Sequence, residues 1–134
     1  MDIGKLEKLL GYKFSDPDLL LRALSHRSWA HENLSGESDE TLRAAQNESL
    51  EFVGDSVVGL VIAEKLYRMH PMLSEGDLTL MKHHLVSTTT FARIAGSLEL
   101  GTFVRMGRGE EKTGGRRKSA ILADTLEAVF AAIF

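Results

Sequence analysis

The 134-residue sequence has room for one domain with one hydrophobic core. The absence of cysteine excludes a disulfide framework, and a formal net charge of −3 is not typical of a stand-alone nucleic-acid-binding protein. No run of about 18 uncharged apolar residues predicts a membrane span, and Met1-Asp2 does not open a signal peptide. We therefore expect a cytoplasmic protein without a membrane partner. Two prolines and clear helical periodicity predict an all-α fold.

The N-terminal part of the chain predicts two short helices and a loop. The first apolar residues recur on one helical face, which Gly11 ends. Asp16 supplies a cap and Pro17 an early-turn proline for a second helix over residues 19–24. The polar residues 31–40 predict a loop that carries no recognisable chemistry.

The proline-free residues 42–69 predict one long helix, which Pro71 stops. This helix is apolar nearly all round, which is typical of a buried central helix. At about 100° per residue, Glu48 and Asp55 lie roughly 20° apart around the axis, and Glu51 lies within about 60° of both. Three mutually repelling carboxylates on one face favour a bound cation. A solvated acidic stripe with partners elsewhere is the alternative.

After the central helix, the sequence predicts two further helices. Ser74 is suited to cap the first of them, with Asp77 at its third position. We expect the helices over residues 78–88 and 90–98. The two adjacent histidines in the first helix point to different faces and form a poor metal pair. The chain has no His-Asp dyad, which weighs against an HD-type phosphohydrolase.

Residues 105–118 form the only basic segment, with four glycines and with six basic residues against two acidic ones. The basic residues are Arg105, Arg108, Lys112, Arg116, Arg117 and Lys118. A loop that grips phosphate beside a metal site explains both the charge and the position of the segment. A solvated flexible connector is the alternative. The segment is not a P-loop, because no Gly-Lys-Ser/Thr follows its glycines.

The last segment, residues 119–134, predicts an apolar helix whose only charges are Asp124 and Glu127. Their spacing of three residues puts both carboxylates on the same face. Charged residues are rarely buried without a partner, and two acid-bearing helices can gather four or five carboxylates around one point. Oxygen ligands without cysteine or histidine favour Mg²⁺ or Mn²⁺ over zinc. Two such ions can clamp the attacking and leaving oxygens of a phosphodiester displacement.

One known set of motifs runs along the chain. Residues 47–55 read Asn-Glu-Ser-Leu-Glu-Phe-Val-Gly-Asp, and further motifs lie at residues 24–28, 73–78, 107–117 and 121–128. In order and spacing they resemble the ribonuclease III family of double-stranded-RNA endonucleases over nearly the whole chain.

The sequence departs from the family pattern in three places. Ser49 stands where a basic residue is usual, and residues 130–132 lack a common glycine, but neither change removes a carboxylate. The family's nuclease domain usually continues with another helix, and in bacteria a double-stranded-RNA-binding domain follows. We therefore expect residues 1–134 to be one nuclease domain, shortened at its C-terminal end and lacking the RNA-binding domain.

The resemblance implies the ribonuclease III endonuclease domain fold, a helical bundle around a long central helix, acting as a homodimer. It implies hydrolysis of double-stranded RNA to 5′-phosphate and 3′-hydroxyl products with short 3′ overhangs, in RNA processing that includes rRNA. Mg²⁺ is the implied cofactor, and Mn²⁺ is expected to substitute for it. The alternative is a catalytically weak or inactive RNA-binding or dimerisation module of the same fold.

The resemblance also implies roles for individual carboxylates. Glu51, Asp124 and Glu127 are expected to hold the metal. Asp55 and Glu127 are expected to be catalytic, and Glu48 to be an outer carboxylate.

Two further sets of contacts follow from the resemblance and the basic segment. A core role is the usual interpretation of an aromatic residue, but Phe52 matches a family residue that projects into an apolar socket on the partner subunit. We therefore expect a dimer contact there. RNA binding is expected from Arg108, Arg116, Arg117 and Lys118.

Overall fold

The computed structural model describes residues 1–134 and contains nine α-helices and two 3₁₀ turns, with no β-strand. The helices are α1 (Ile3–Leu10), α2 (Pro17–Ala23), α3 (Arg27–Asn33), α4 (Asp39–Ala44), α5 (Glu48–Met69), α6 (Glu75–Leu85), α7 (Thr88–Ser97), α8 (Arg108–Lys112) and α9 (Ser119–Ile133). The 3₁₀ turns are Leu100–Phe103 and Gly115–Arg117. The all-α prediction is confirmed. None of these helices has both the length and the apolarity needed to span a bilayer.

The C-terminal helix α9 lies at the centre of the core, packed against α5, α7 and α2. Ala123, Leu126, Ala128 and Val129 of α9 are buried and join side chains from several other helices in one apolar cluster. Burial of so many apolar side chains gives this helix most of its stability. The bundle is therefore built around two helices, α5 and α9. The acidic side chains of α9 are attached to a backbone that the core packing holds in place.

The prediction that α5 is buried along its length is wrong for the single chain. Of its 22 residues only Gly54, Val58 and Leu66 are buried. Large apolar side chains remain in solvent, including Phe52 at 76 % exposure and Leu60 at 71 %. An apolar pattern reports which surface avoids water but not what covers that surface. One side of α5 packs on α9 and α6, and the other side has no cover within this chain.

The central helix also starts later than predicted, because residues 42–69 are divided between α4 and α5. The break lies at buried Gln46 and Asn47. The Asn47 amide donates to the Ser25 carbonyl at 2.9 Å, and its side chain donates to the Ala23 carbonyl at 3.1 Å. These contacts to the end of α2 satisfy polar groups that a continuous helix would leave unpaired. The expected loop 31–40 is likewise shorter, since α3 and α4 enter it from both sides.

The predicted helix ends are confirmed where a capping residue marks them. Gly11 ends α1 in the left-handed conformation, with φ of 65°. Asp16 caps α2 by accepting a hydrogen bond from the Asp18 amide at 3.0 Å. Ser74 caps α6 by accepting one from the Asp77 amide at 3.2 Å. The helices expected over 78–88 and 90–98 are α6 and α7. Both begin and end one to three residues earlier than expected.

A short parallel bridge between Ser25 and Arg105 fixes the start of the basic segment. The His26 amide donates to the Arg105 carbonyl at 2.9 Å, and the Arg105 amide donates to the Leu24 carbonyl at 2.8 Å. The Arg105 guanidinium lies 4.0 Å from the centroid of the Trp29 ring and donates to the Ser25 hydroxyl at 2.8 Å. Arg105 therefore has a structural role, although the sequence analysis grouped it with the basic residues expected to face phosphate.

Candidate metal site

Helices α5 and α9 touch backbone to backbone at Gly54. A Cβ atom at this position would lie 1.8 Å from the carbonyl oxygen of Glu127, a distance that no real contact allows. Only glycine permits this approach. Because Glu51 precedes Gly54 by nearly one helical turn, the contact brings the acidic face of α5 against that of α9.

Three predicted acids meet at this crossing and form what we call the acid cluster: Glu51, Asp124 and Glu127. One carboxylate oxygen from each lies within 4.8 Å of the others. All three side chains are partly buried. The sequence placed these residues on two helix faces, and the packing of the two helices brings the faces together.

The other two predicted acids lie at the edge of the acid cluster. Asp55 is exposed, and its charge is the largest electrostatic influence on Glu127 after burial. Glu48 is exposed and is held by the Gln46 side-chain amide at 3.0 Å and by Arg27 at 3.6 Å. Glu48 therefore borders the acid cluster while already having partners of its own.

Burial and mutual repulsion make ionisation of the acid cluster unfavourable. Burial, followed by the charges of Asp55, Glu51 and Asp124, raises the pKa of Glu127 to about 7. Burial also raises the pKa of Glu51, with a further contribution from the charge of Asp124. Burial raises the pKa of Asp124 too, and nearby His26 partly opposes the shift. In the absence of a cation, the cluster therefore tends to hold a proton near neutral pH.

The donor set of the acid cluster fits a hard divalent cation. Neither the cluster nor Asp55 takes part in any of the six ion pairs of the chain. The available ligand atoms are carboxylate oxygens, which Mg²⁺ and Mn²⁺ prefer. They converge from two helices that are packed against each other. A bound cation would relieve the repulsion that raises the three pKa values.

His26 lies beside the acid cluster, a position that the sequence did not indicate. Its Nδ1 atom accepts a hydrogen bond from the Ser28 amide at 3.2 Å and so caps α3. Burial lowers the pKa of His26, although the charges of Glu110, Glu48 and Asp124 favour its protonation. No local pattern in the sequence indicates the nearness of His26 to Asp124, which only the three-dimensional structure reveals.

The basic segment is folded, which disfavours the alternative of a solvated flexible connector. It contains α8 and the second 3₁₀ turn. The Arg116 side chain pairs with Glu111 at 2.7 Å and donates to the Gly101 and Val104 carbonyls at 2.9 and 2.7 Å. Two of its glycines approach the chain's own atoms: a Cβ at Gly107 would lie 2.7 Å from a Glu32 oxygen, and the surroundings of Gly115 are as tight.

The remaining charges of the segment differ in their freedom. Lys118 pairs with Glu110, and Arg108 is 90 % exposed with a long contact of 3.6 Å to Glu32. Arg117 is exposed and belongs to none of the ion pairs. Of the four residues expected to bind RNA, Arg108 and Arg117 are thus the most accessible to a ligand.

The fold and the acid cluster together define an all-helical protein with an oxygen-ligand site of the kind used for divalent cations. A family model described as Ribonuclease-III-like matches residues 16–134. The chain belongs to this ribonuclease-III-like family.

Known proteins agree with that assignment. The chain is 50 % identical to Ribonuclease 3 of Streptomyces coelicolor over 129 residues, covering 96 % of this chain and 44 % of the relative. It is 47 % identical to Ribonuclease 3 of Thermobifida fusca, covering 99 % and 52 %. The chain therefore spans about half the length of the curated relatives it matches.

A solved structure is similar to the fold as a whole. The nuclease domain of ribonuclease III from Campylobacter jejuni matches with a TM-score of 0.87 and 42 % identity, over 98 % of this chain and 84 % of that domain. In the Campylobacter jejuni domain, a region involved in dimer formation shows structural flexibility. The predicted ribonuclease III nuclease-domain fold is confirmed by this match.

Proposed function

We propose that this chain is a divalent-metal-dependent endoribonuclease domain that hydrolyses phosphodiester bonds of double-stranded RNA during RNA processing. The observation that carries the proposal is the convergence of Glu51, Asp124 and Glu127 within 4.8 Å, with none of the three in an ion pair. The names of the relatives support the reaction class. An inactive module of the same fold is not favoured, because every carboxylate expected at the site is present.

In this proposal the acid cluster holds Mg²⁺, for which Mn²⁺ substitutes. Such an ion supplies activation of water and neutralisation of charge on phosphate. Burial and the neighbouring acids raise the pKa of Glu127 to about 7, so as a metal ligand this residue would release its proton to solvent. Asp55 is exposed beside Glu127 and orients the attacking water by accepting a hydrogen bond. Glu48 acts from the outer edge, with one oxygen held by Gln46.

The basic segment is proposed to bind the duplex through its phosphates and 2′-hydroxyl groups, since A-form RNA is recognised mainly by shape. Arg108 and Arg117 are the first candidates because they are exposed. Arg116 and Lys118 organise the segment through Glu111 and Glu110, and they lie where they add positive potential to the same surface.

We further propose that the chain acts as a homodimer with Phe52 at the two-fold interface. The side chain is 76 % exposed on α5, so it is not a core aromatic of its own chain. Exposed apolar residues along the same helix, such as Leu60, support an interface there. Phe52→Asp should shift the protein toward monomer in sedimentation, since it would place a charge in an apolar contact. A dimer of unchanged affinity would contradict this assignment.

The enzymatic proposal is tested by incubating the protein with long duplex RNA and Mg²⁺, with Mn²⁺, and with a chelator. We expect cleavage only with metal, giving 5′-phosphate and 3′-hydroxyl ends and short 3′ overhangs. The exposed acid Glu37 lies outside the site, so Glu37→Gln serves as a control and should cleave normally. Folded, dimeric protein that leaves the duplex intact with either metal would refute the proposal.

A further inference from the structure

A cavity borders Asp55 on the side of α6. It has a volume of about 470 Å³ and lies between α5 and α6. Asp55 and Ser56 form one part of its wall, and Lys82 and Val86 form another. The cavity is therefore lined by both a carboxylate and a lysine, and its carboxylate, Asp55, also borders the acid cluster through Glu127.

Lys82 reaches this cavity by lying across the backbone of α5. It stands in the last turn of α6, and its side chain is partly buried. A Cβ atom at Gly59 would lie 3.6 Å from the Lys82 nitrogen and 3.7 Å from the neighbouring carbon. Gly59 follows Asp55 by one helical turn, about 6 Å along the axis. The ammonium thus rests against helix backbone, one turn from an acid at the edge of the cluster.

The Lys82 ammonium forms no ion pair within the chain, whereas Lys5 and Lys118 each have a carboxylate partner. A partly buried lysine typically packs its aliphatic stem on the protein while its ammonium stays accessible. A held, unpaired cation bordering an open cavity is suited to an anionic ligand from outside.

We propose that Lys82 is a phosphate-positioning residue, which contacts a non-bridging oxygen of an RNA phosphodiester next to the one at the acid cluster. This inference rests on the endoribonuclease function proposed above. The acids at the site repel the RNA backbone, and Lys82 offsets that repulsion at the α5–α6 wall. Its contact fixes the strand in register with Asp55 and Glu127, so that the scissile phosphate arrives where the carboxylates act.

The experiment compares Lys82→Met, Lys82→Arg and Lys8→Met. Lys8 is a matched control, because it is an exposed, unpaired lysine in the last turn of α1. Each variant is measured by steady-state cleavage of duplex RNA with Mg²⁺, by duplex binding in Ca²⁺ over a salt series, and by thermal melting without RNA. Lys82→Met should lower kcat/KM by about tenfold to a hundredfold, the effect of one charged hydrogen bond. Lys82→Arg should restore most of this loss, and Lys8→Met should behave as wild type.

The salt series separates a phosphate contact from a purely structural role. Loss of one phosphate contact should flatten the dependence of log affinity on log salt by roughly 0.7–0.9 for Lys82→Met alone. A lower melting temperature with an unchanged salt dependence would overturn the proposal and would make Lys82 a simple counter-ion for the acids.

The outcomes also distinguish this inference from the function on which it rests. If wild type and Lys8→Met cleave the duplex and Lys82→Met matches them in rate and binding, the Lys82 inference is wrong and the nuclease function stands. If wild type does not cleave, the nuclease function fails, and a positioning role in that reaction fails with it.

Discussion

The acid cluster and the basic segment use charge in opposite ways. In residues 105–118, Arg116 and Lys118 pair with Glu111 and Glu110, and the hydrogen bonds from these partners lower the pKa of both glutamates. The acids of the acid cluster form no ion pair with a basic side chain, and burial with mutual repulsion raises the pKa of all three. Paired charges here stabilise local structure, whereas the unpaired charges weaken the fold and are free to bind a ligand.

This contrast teaches that counting charges along a sequence misjudges a binding surface. The basic segment has six basic residues, yet Arg105 and Arg116 are largely occupied by the chain's own carbonyl and hydroxyl groups. The acid cluster has half as many charges, and none of them forms an ion pair. The following predictions test the difference by removing one charge or one contact from each region.

The largest effect is expected from Glu127→Gln. This change keeps the size of the side chain but removes one negative ligand, so the cleavage rate should fall by at least about a hundredfold in single-turnover measurements. Binding of duplex RNA in Ca²⁺ should not weaken, because the change removes a negative charge near phosphate. Loss of binding with normal cleavage of each bound complex would show that the catalytic assignment is wrong.

Gly54→Ala should cause the largest loss of stability. The added Cβ would collide with the Glu127 backbone, and forcing α5 away from α9 should cost about 3 kcal/mol, at the upper end of typical overpacking. Thermal melting measures this loss, and cleavage should disappear because the acids are separated. Gly96→Ala is the matched control, since nothing lies near Gly96 in α7 and alanine favours a helix. Equal melting temperatures of the two variants would contradict the close backbone contact at Gly54.

Arg116→Met and Arg117→Met should separate structure from binding within the basic segment. Arg116→Met leaves two carbonyls without a donor and should lower the free energy of unfolding by about 1–3 kcal/mol in denaturant titrations. Arg117→Met should leave stability within about 0.5 kcal/mol. The affinity of this variant for RNA should fall, and the slope of log affinity against log salt should become shallower by roughly 0.7–0.9. Wild-type binding by Arg117→Met at every salt concentration would mean that this residue does not contact RNA.

The smallest expected effect is a pH dependence of the metal-free protein. The folded pKa of Glu127 is about 7 and its ordinary value is 4.5. Between these values the folded state holds a proton that the unfolded state has lost, so stability should fall as pH rises from about 4.5 to about 7. Solvent screening reduces the effect to about 1 kcal/mol, or a few °C in Tm.

Two controls accompany the melting curves. Mg²⁺ should restore stability at pH 8, because it binds only the folded, deprotonated acid cluster. Glu127→Gln should raise the metal-free Tm at pH 8 and flatten the pH dependence, since the repelled charge is gone. A Tm that is constant from pH 4.5 to 8 in wild type would contradict the proposed electrostatics.

The sequence was most informative where a local rule decides the structure. Gly11, Asp16 and Ser74 marked helix ends because capping depends on neighbours a few residues away. The spacing of Asp124 and Glu127 placed both acids on one face for the same reason. The same rule placed three acids on one face of the other helix, and the similarity in motifs then implied which of the acids would hold a metal.

The sequence was least informative where contacts between distant residues decide the structure. The end of α4 depends on bonds from Asn47 to Ala23 and Ser25, which no local pattern encodes. The exposure of α5 depends on what covers Phe52, and a single sequence does not state this. Lys82 gave no signal at all, because its position matters only through its approach to Gly59.

The Ser25–Arg105 bridge has a consequence for the order of folding. It joins residues that are 80 positions apart, and closing so long a loop carries an entropic cost that local helix formation does not. Long-range pairs of this kind slow folding. We therefore expect α1 to α7 to form before the basic segment docks, so the amide protons of His26 and Arg105 should become protected from exchange with solvent late in refolding.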